Sequence, residues 1–277
     1  MTERGVIESR VGSLFDALAD DYDAVGVDFF QPIADGLVAA LAPRADEDWL
    51  DMGCGRGAVL LPLARLIDPG RALGVDISPA MTVKAASAAQ KAGLGNVDVQ
   101  VGSAQTPDLG ERRFDGIASS LVLFFLPDPL DALRNWRALL SSGGRVGVTT
   151  FGQTDERWKD VDAALDPFMP DRDARTSGAL GPFGSDAGME RLIEEAGFAN
   201  VRTVRQLVKV HFRSPDHWMA FSMSIGQRAG WLRIPDDQRA GVQEDAFRRY
   251  LDHASSDGSV IFTQEVRHSL GVRPSMP

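Results

Sequence analysis

Eight residues constrain this chain more than any others. LDMGCGRG at 50–57 closes a short apolar run and opens an amphipathic one. Its glycines, Gly53, Gly55 and Gly57, let the backbone turn tightly and approach a bound molecule where a Cβ would block it. A helix starting near Gly57 aims its positive end at the same place, and an acid, Asp51, stands at the strand end. The spacing is G-x-G-x-G rather than the G-x-G-x-x-G of a dinucleotide fingerprint, and the tighter form suits a ligand without a pyrophosphate. Twenty-one residues past Gly55 comes Asp76, at the end of the next apolar run, where an acid can accept both hydroxyls of a ribose.

The rest of the first half repeats the same rhythm. Residues 48–52, 71–76, 97–101, 114–123 and 145–150 read as strands, and 57–67, 79–92 and 128–140 as the helices between them. The fourth strand is nearly all apolar, as a strand covered on both faces should be. Such alternation predicts a doubly wound α/β fold around a mainly parallel sheet. After Phe151 the rhythm breaks. Residues 152–185 are rich in Pro, Asp and Gly, with one helical stretch near 156–166. A helix at 186–196, a strand at 200–212, helical stretches at 214–230 and 236–253 and a last strand at 259–268 follow. That makes seven strands, with helical caps inserted at 1–45, 152–185 and 214–257 of a single domain spanning 1–277.

Composition excludes several alternatives. A net charge of −10 over 277 residues argues against a nucleic-acid partner, since phosphate backbones demand a Lys/Arg excess. Cys54 is the single cysteine, which removes intrachain disulfides and cysteine-rich zinc sites, and no metal set is expected. The polar start MTERGVIESRVG lacks a signal-peptide core, and no apolar stretch reaches the ~20 residues of a membrane helix. A cytoplasmic monomer or homodimer with no membrane partner is expected. Arginine outnumbers lysine 25 to 4, which suits a GC-rich bacterial genome.

The motifs together resemble the class I S-adenosylmethionine (SAM)-dependent methyltransferases, with their Rossmann-like fold. LDMGCGRG is similar to the family's first motif and GVDISPAM (74–81) to its second. FDGIASSLVLFFL (114–126) and LRNWRALLSSGGRVGV (133–148) resemble its fourth- and fifth-strand regions, and FDALADDYD (15–23) the opening of the quinone-biosynthesis C-methyltransferases. The resemblance implies that Asp51, Gly53, Cys54 and Gly55 face the methionine part of SAM. It implies that Asp76 holds the ribose, that Ile77 and Met81 flank the adenine, and that Ser119 and Ser120 present carbonyls to the amino group. It places Tyr22 over the cofactor from an N-terminal helix. Where the family has an acid after the third strand, this chain has Gly102-Ser103-Ala104. Ser103 is then a neutral and weaker acceptor for the adenine amino group, and Ser103→Asp is expected to preserve or tighten binding.

The accepting end is less defined. Phe124 and Phe125 stand where relatives carry histidines. Asp155 and Glu156 after the fifth strand, and His217 in the inserted region, are the candidates for a base. Phe15, Phe29, Phe125, Phe151, Trp158, Trp218 and Trp231 are candidates for an apolar substrate pocket. The cap arginines Arg172, Arg175, Arg228 and Arg233 are candidates for an anionic group. The expected activity is SAM-dependent C- or O-methylation of a small, largely apolar molecule in bacterial secondary metabolism, with S-adenosylhomocysteine (SAH) as coproduct. The alternatives are a SAM-binding cyclase or decarboxylase on the same scaffold, or an NAD(P)-dependent oxidoreductase. The glycine spacing and the lack of a Tyr-x-x-x-Lys pair weigh against the latter.

Overall fold

In the computed structural model, which describes residues 3–169 and 181–275, the short apolar runs pair into one seven-stranded sheet. Its strands are β1 (Trp49–Met52), β2 (Ala72–Asp76), β3 (Val97–Val101), β4 (Phe114–Ser120), β5 (Leu140–Thr154), β6 (Ala199–Phe212) and β7 (Val260–Val272). Their order is β3-β2-β1-β4-β5-β7-β6. Strands β1 to β5 run parallel to one another, and β7 is antiparallel to both β5 and β6. Every residue of β1 and β2 is buried, because helices cover both faces. The chain reverses its direction of travel across the sheet between β1 and β4. A crevice opens there at the carboxyl ends of the strands, where ligands of such sheets bind.

The helices are α1 (Glu3–Leu18), α2 (Phe30–Leu41), α3 (Leu60–Ile67), α4 (Pro79–Lys91), α5 (Pro129–Leu139), α6 (Glu156–Asp162), α7 (Asp186–Glu195), α8 (Pro215–Ser224), α9 (Arg228–Trp231) and α10 (Asp236–Asp252). Several announce their starts. Ser78, Asp128 and Ser185 each accept a backbone N–H from three residues on, which satisfies one orphan donor of the first turn. Pro79 and Pro129 follow the first two of these caps, where proline costs no hydrogen bond. Helix α3 begins at Leu60 rather than near Gly57, because residues 55–59 stay in turns. The stretch read as one helix over 214–230 divides into α8 and α9.

Three apolar clusters hold these layers. On one face, α5 and α7 pack Leu133, Trp136 and Ile193 against Leu50, Ile117 and Val146. On the other, α2 and α3 pack Leu37, Leu60 and Leu63 against Trp49 and Ala118. Helix α2 therefore belongs to the sheet's covering layer, although residues 1–45 read as a cap. The third cluster lies at the far ends of β6 and β7. There Trp158, Phe212, Trp218, Phe221, Trp231, Tyr250 and Phe262 join α6, α8, α9 and α10 to those strands. Strand β5 runs from 140 to 154 where only 145–150 reads as strand. Gly143, Gly144 and the polar residues around them look like a turn, yet β4 and β7 pair with the backbone on both sides. No described helix is long and apolar enough to cross a membrane.

Candidate active site

The turn after β1 is tied to β2 by its own backbone. Gly53 N–H and Cys54 N–H both donate to the Val75 carbonyl, at 2.7 and 3.0 Å. Gly53 sits at φ +71°, and a Cβ there would stand 2.4 Å from Val122 Cγ2. Only glycine permits that approach to the segment following β4. Gly55, at φ +51°, has nothing within 4 Å of where its Cβ would be, so the turn faces open space. Its N–H donates to Asp76 Oδ2 at 2.8 Å, and Ser78 N–H donates to Asp76 Oδ1 at 2.9 Å. Asp76 is thus fixed in one orientation with lone pairs left over. Burial raises its pKa, and those N–H donors oppose the rise.

Above this turn lies a cleft of ≈ 690 Å³, counting its open mouth. Of the residues expected at a cofactor, Tyr22, Gly53, Gly55, Asp76, Ile77, Met81, Ala104 and Ser120 line it. Phe15 and Phe125 line it too, edge to face at 5.4 Å.

Others in that group lie behind the lining. Asp51 is 2% exposed, and its Oδ2 has no hydrogen-bond partner. Burial, with the negative charge of Asp76 adding, pushes its pKa up to about 8. Cys54 is buried against Gly74, where a Cβ would lie 2.8 Å from its sulfur. Burial holds its thiol well above the ordinary range, so it is packing rather than a reactive group. Ser119 Oγ donates to the Met52 carbonyl at 2.9 Å and stitches β4 to β1. Gly102 N–H extends the β2–β3 pairing by donating to the Asp76 carbonyl at 2.9 Å. Ser103 Oγ accepts from Gln105 N–H and Thr106 N–H at 3.1 and 3.2 Å, and donates to the Glu8 carboxylate.

Tyr22 lies in the turn that follows α1, not on a helix. The helix ends at Leu18, and Tyr22 N–H donates back to the Leu18 carbonyl at 2.8 Å. Its ring stacks on Phe30 at 4.6 Å, and burial raises its phenol far above the usual range. Glu8 and Val11 from α1, and Leu121, Val122, Leu126 and Pro127 beyond β4, line the cavity without having been expected there. Glu8, Val11 and Phe15 fall at i, i+3 and i+7, one face of a helix, but the acid interrupts the apolar pattern that would have marked it. Leu121 sits at φ +60°, a conformation costing a leucine on the order of 1 kcal/mol. Its N–H donates to the Thr149 carbonyl at 3.0 Å, which turns the chain over the cavity.

The candidates for a base lie away from the cavity, with their polar atoms engaged. Asp155 caps α6 and pairs with Arg157 at 2.7 Å, which holds its carboxyl below the usual range. Glu156 pairs with Lys159. His217 accepts from Arg213 N–H through Nδ1, and its Nε2 meets the Val25 carbonyl at 3.1 Å, so it clamps the 25–29 loop to α8. Four of the aromatics expected at a substrate pocket are core instead. Phe29, Trp158, Trp218 and Trp231 are at most 5% exposed in the cap cluster, and Trp231 Nε1 donates to Ser222 Oγ. Phe151 is 39% exposed on β5, outside the cavity lining but 5.6 Å from Phe124. Arg228 pairs with Asp21 at 3.0 Å and Arg233 is exposed; Arg172 and Arg175 fall outside the described residues.

Comparison with known proteins agrees with this geometry. A family described as "Methyltransferase domain" matches residues 50–148. The nocamycin O-methyltransferase of Saccharothrix syringae is 33% identical over 276 residues, covering 95% of this chain and 98% of its own. An aklanonic acid methyltransferase of a Streptomyces species is 38% identical over 144 residues, covering 52% of this chain and 66% of its own. Among solved structures, the YcgJ protein of Bacillus subtilis shares the fold, with a TM-score of 0.59 at 20% identity over 88% of this chain and 99% of that one. Likeness of one third over nearly the whole of two chains, on a sheet of this order with this glycine turn, is common descent: the chain belongs to the class I SAM-dependent methyltransferases.

Proposed function

We propose that this methyltransferase acts on an oxygen of a small, largely apolar acceptor in bacterial secondary metabolism, and that this oxygen is already ionised at neutral pH, as a carboxylate is. The observation that carries this is the lack of a free base among the described residues lining the cavity. Their ionisable side chains are Glu8, Tyr22 and Asp76. Asp76, pinned by Gly55 and Ser78, is assigned to the ribose, and Glu8, bonded to Ser103, lies toward β3 rather than the reacting end. Tyr22 keeps its proton at any physiological pH. A neutral hydroxyl would need a positioned group to take its proton; a carboxylate needs none. The nocamycin relative, an O-methyltransferase by name, supports oxygen as the acceptor, and the aklanonic acid relative supports an acid.

The residues divide the work along the sheet edge. Asp76 accepts the ribose hydroxyls through the lone pairs that Gly55 and Ser78 leave. Ile77 and Met81 flank the adenine. Gly53, Gly55 and Ser120 bracket the methionyl part, with Asp51 buried beneath them. When bound, SAM supplies a methyl group on a cationic sulfur whose leaving group is a neutral thioether. The chain's task is then to hold the acceptor oxygen in line and keep water out. Phe15 and Phe125 form the wall beside the reacting end, and Phe124, 4.8 Å from Phe125, carries the aromatic surface on toward Phe151. A flat apolar acceptor matches that wall.

The test is SAH release from matched acceptors: an aromatic carboxylic acid, its methyl ester, and a phenol of the same skeleton. Turnover of the acid alone is expected, with kcat/KM level between about pH 6 and 9 because the nucleophile stays ionised throughout. Preference for the phenol, with a rate that climbs with pH, would contradict the reading.

A further inference from the structure

We infer that Glu8, on the N-terminal helix, is the acceptor that selects an adenine base at this site; the inference rests on the cofactor reading above. With the ribose on Asp76 at the end of β2, and the reacting end toward β1 and β4, the strand order sends the base toward β3. The lining there is Val11, Ile77, Met81 and Ala104, all without a polar side chain, and Glu8.

Three acceptors on the loop after β3 are already engaged. The Ala104 carbonyl accepts from Trp136 Nε1 at 2.7 Å, and the Gln105 carbonyl from Asn135 Nδ2 at 2.9 Å. Ser103 Oγ accepts two backbone N–H groups and spends its own proton on Glu8. The Glu8 carboxylate has about four acceptor positions, and the Ser103 hydroxyl takes one. An exocyclic amino group donates into such a carboxylate. A 6-oxo group in the same place would face a charge of its own sign with no proton between them.

The same side chain fastens α1. Few residues of this helix are buried, and beside the packing of Phe15 and Leu18 it is held by polar ties. Ser78 Oγ donates to Asp16 at 2.5 Å, and Arg4 pairs with Asp131 at 3.2 Å. Glu8 therefore lies at once on the proposed base pocket and in the seat of the helix.

The test is calorimetric binding of SAH and of S-inosylhomocysteine, its 6-oxo counterpart, to the full chain and to three variants. The wild type is expected to prefer SAH. Glu8→Ala should cost SAH about 10- to 100-fold while the inosine analogue changes little, so the preference collapses. Glu8→Gln, whose amide can also donate, should narrow it. Ser103→Ala leaves the carboxylate in place and should keep the preference. Equal losses for both ligands in Glu8→Ala would make Glu8 a mere fastener of α1 and overturn the assignment, as would a collapse in Ser103→Ala. A wild type that binds neither ligand would instead overturn the cofactor reading beneath it.

Discussion

Two carboxylates end neighbouring strands, and their environments divide their roles. Asp76 has two N–H donors, whereas Asp51 has an orphaned oxygen and lies within the field of Asp76. The pKa of Asp51 rises from 3.8 to about 8 on folding, so the folded chain holds a proton that the unfolded chain releases. Its contribution to stability is present at low pH and is lost as pH rises through about 8. Asp51→Asn should accordingly gain on the wild type in melting temperature as pH rises from about 5 to 9; parallel curves would contradict the burial argument. Both acids were visible in the sequence because they stand at fixed offsets from glycines. The role of Ser103 was not. Its partner Glu8 lies 95 positions away, and no local pattern joins them. Ser103→Asp, expected from sequence to preserve or tighten binding, would set two carboxylates together and should weaken it.

At the scale of elements, a buried polar ladder crosses the sheet. Thr149 on β5 meets His268 Nδ1 on β7 at 2.8 Å, His268 Nε2 meets Gln206 Oε1 on β6 at 2.8 Å, and Gln206 Nε2 donates to the Pro32 carbonyl of α2 at 3.0 Å. The Gln206 oxygen accepts from Nε2–H, which leaves Nδ1 to accept from Thr149. Gly36 leaves room for this ladder, since a Cβ there would lie 2.0 Å from the Gln206 oxygen. Burial lowers the pKa of His268 to about 4, below its ordinary 6.5. The folded state thus resists a proton that the unfolded state takes, and stability falls as pH drops from 6.5 toward 4 by up to about 3 kcal/mol. The wild type should lose more melting temperature over that interval than His268→Gln; an equal loss would remove His268 from the account. Strands β1, β2 and β4 were legible because covered strands are apolar runs bounded by turns. The length of β5 was not, because its ends are paired through the backbone by neighbours that no local pattern reveals.

Over the whole molecule, the carboxyl ends of β1 and β2 supply the glycine turn, the N-terminal helix lies over the cavity it lines, and the inserted helices build a separate aromatic core. The tryptophans of the caps were conspicuous in sequence and read as a pocket. They instead hold α6, α8, α9 and α10 to β6 and β7. An aromatic side chain carries no local sign of which neighbour it will face, whereas a glycine turn followed by an acid carries its function in its spacing. The net charge of −10 places no demand on the site, where the ionisable side chains of the described lining are Glu8, Tyr22 and Asp76. The claim on which the rest depends is that Asp76, pinned by Gly55 and Ser78, holds the ribose of SAM. Calorimetric titration of SAH into Asp76→Ala, with Asp76→Asn as the milder change and melting temperature as the check on folding, tests it most directly. The expected result is a loss of at least about 100-fold in affinity for a folded variant; affinity equal to wild type would contradict it.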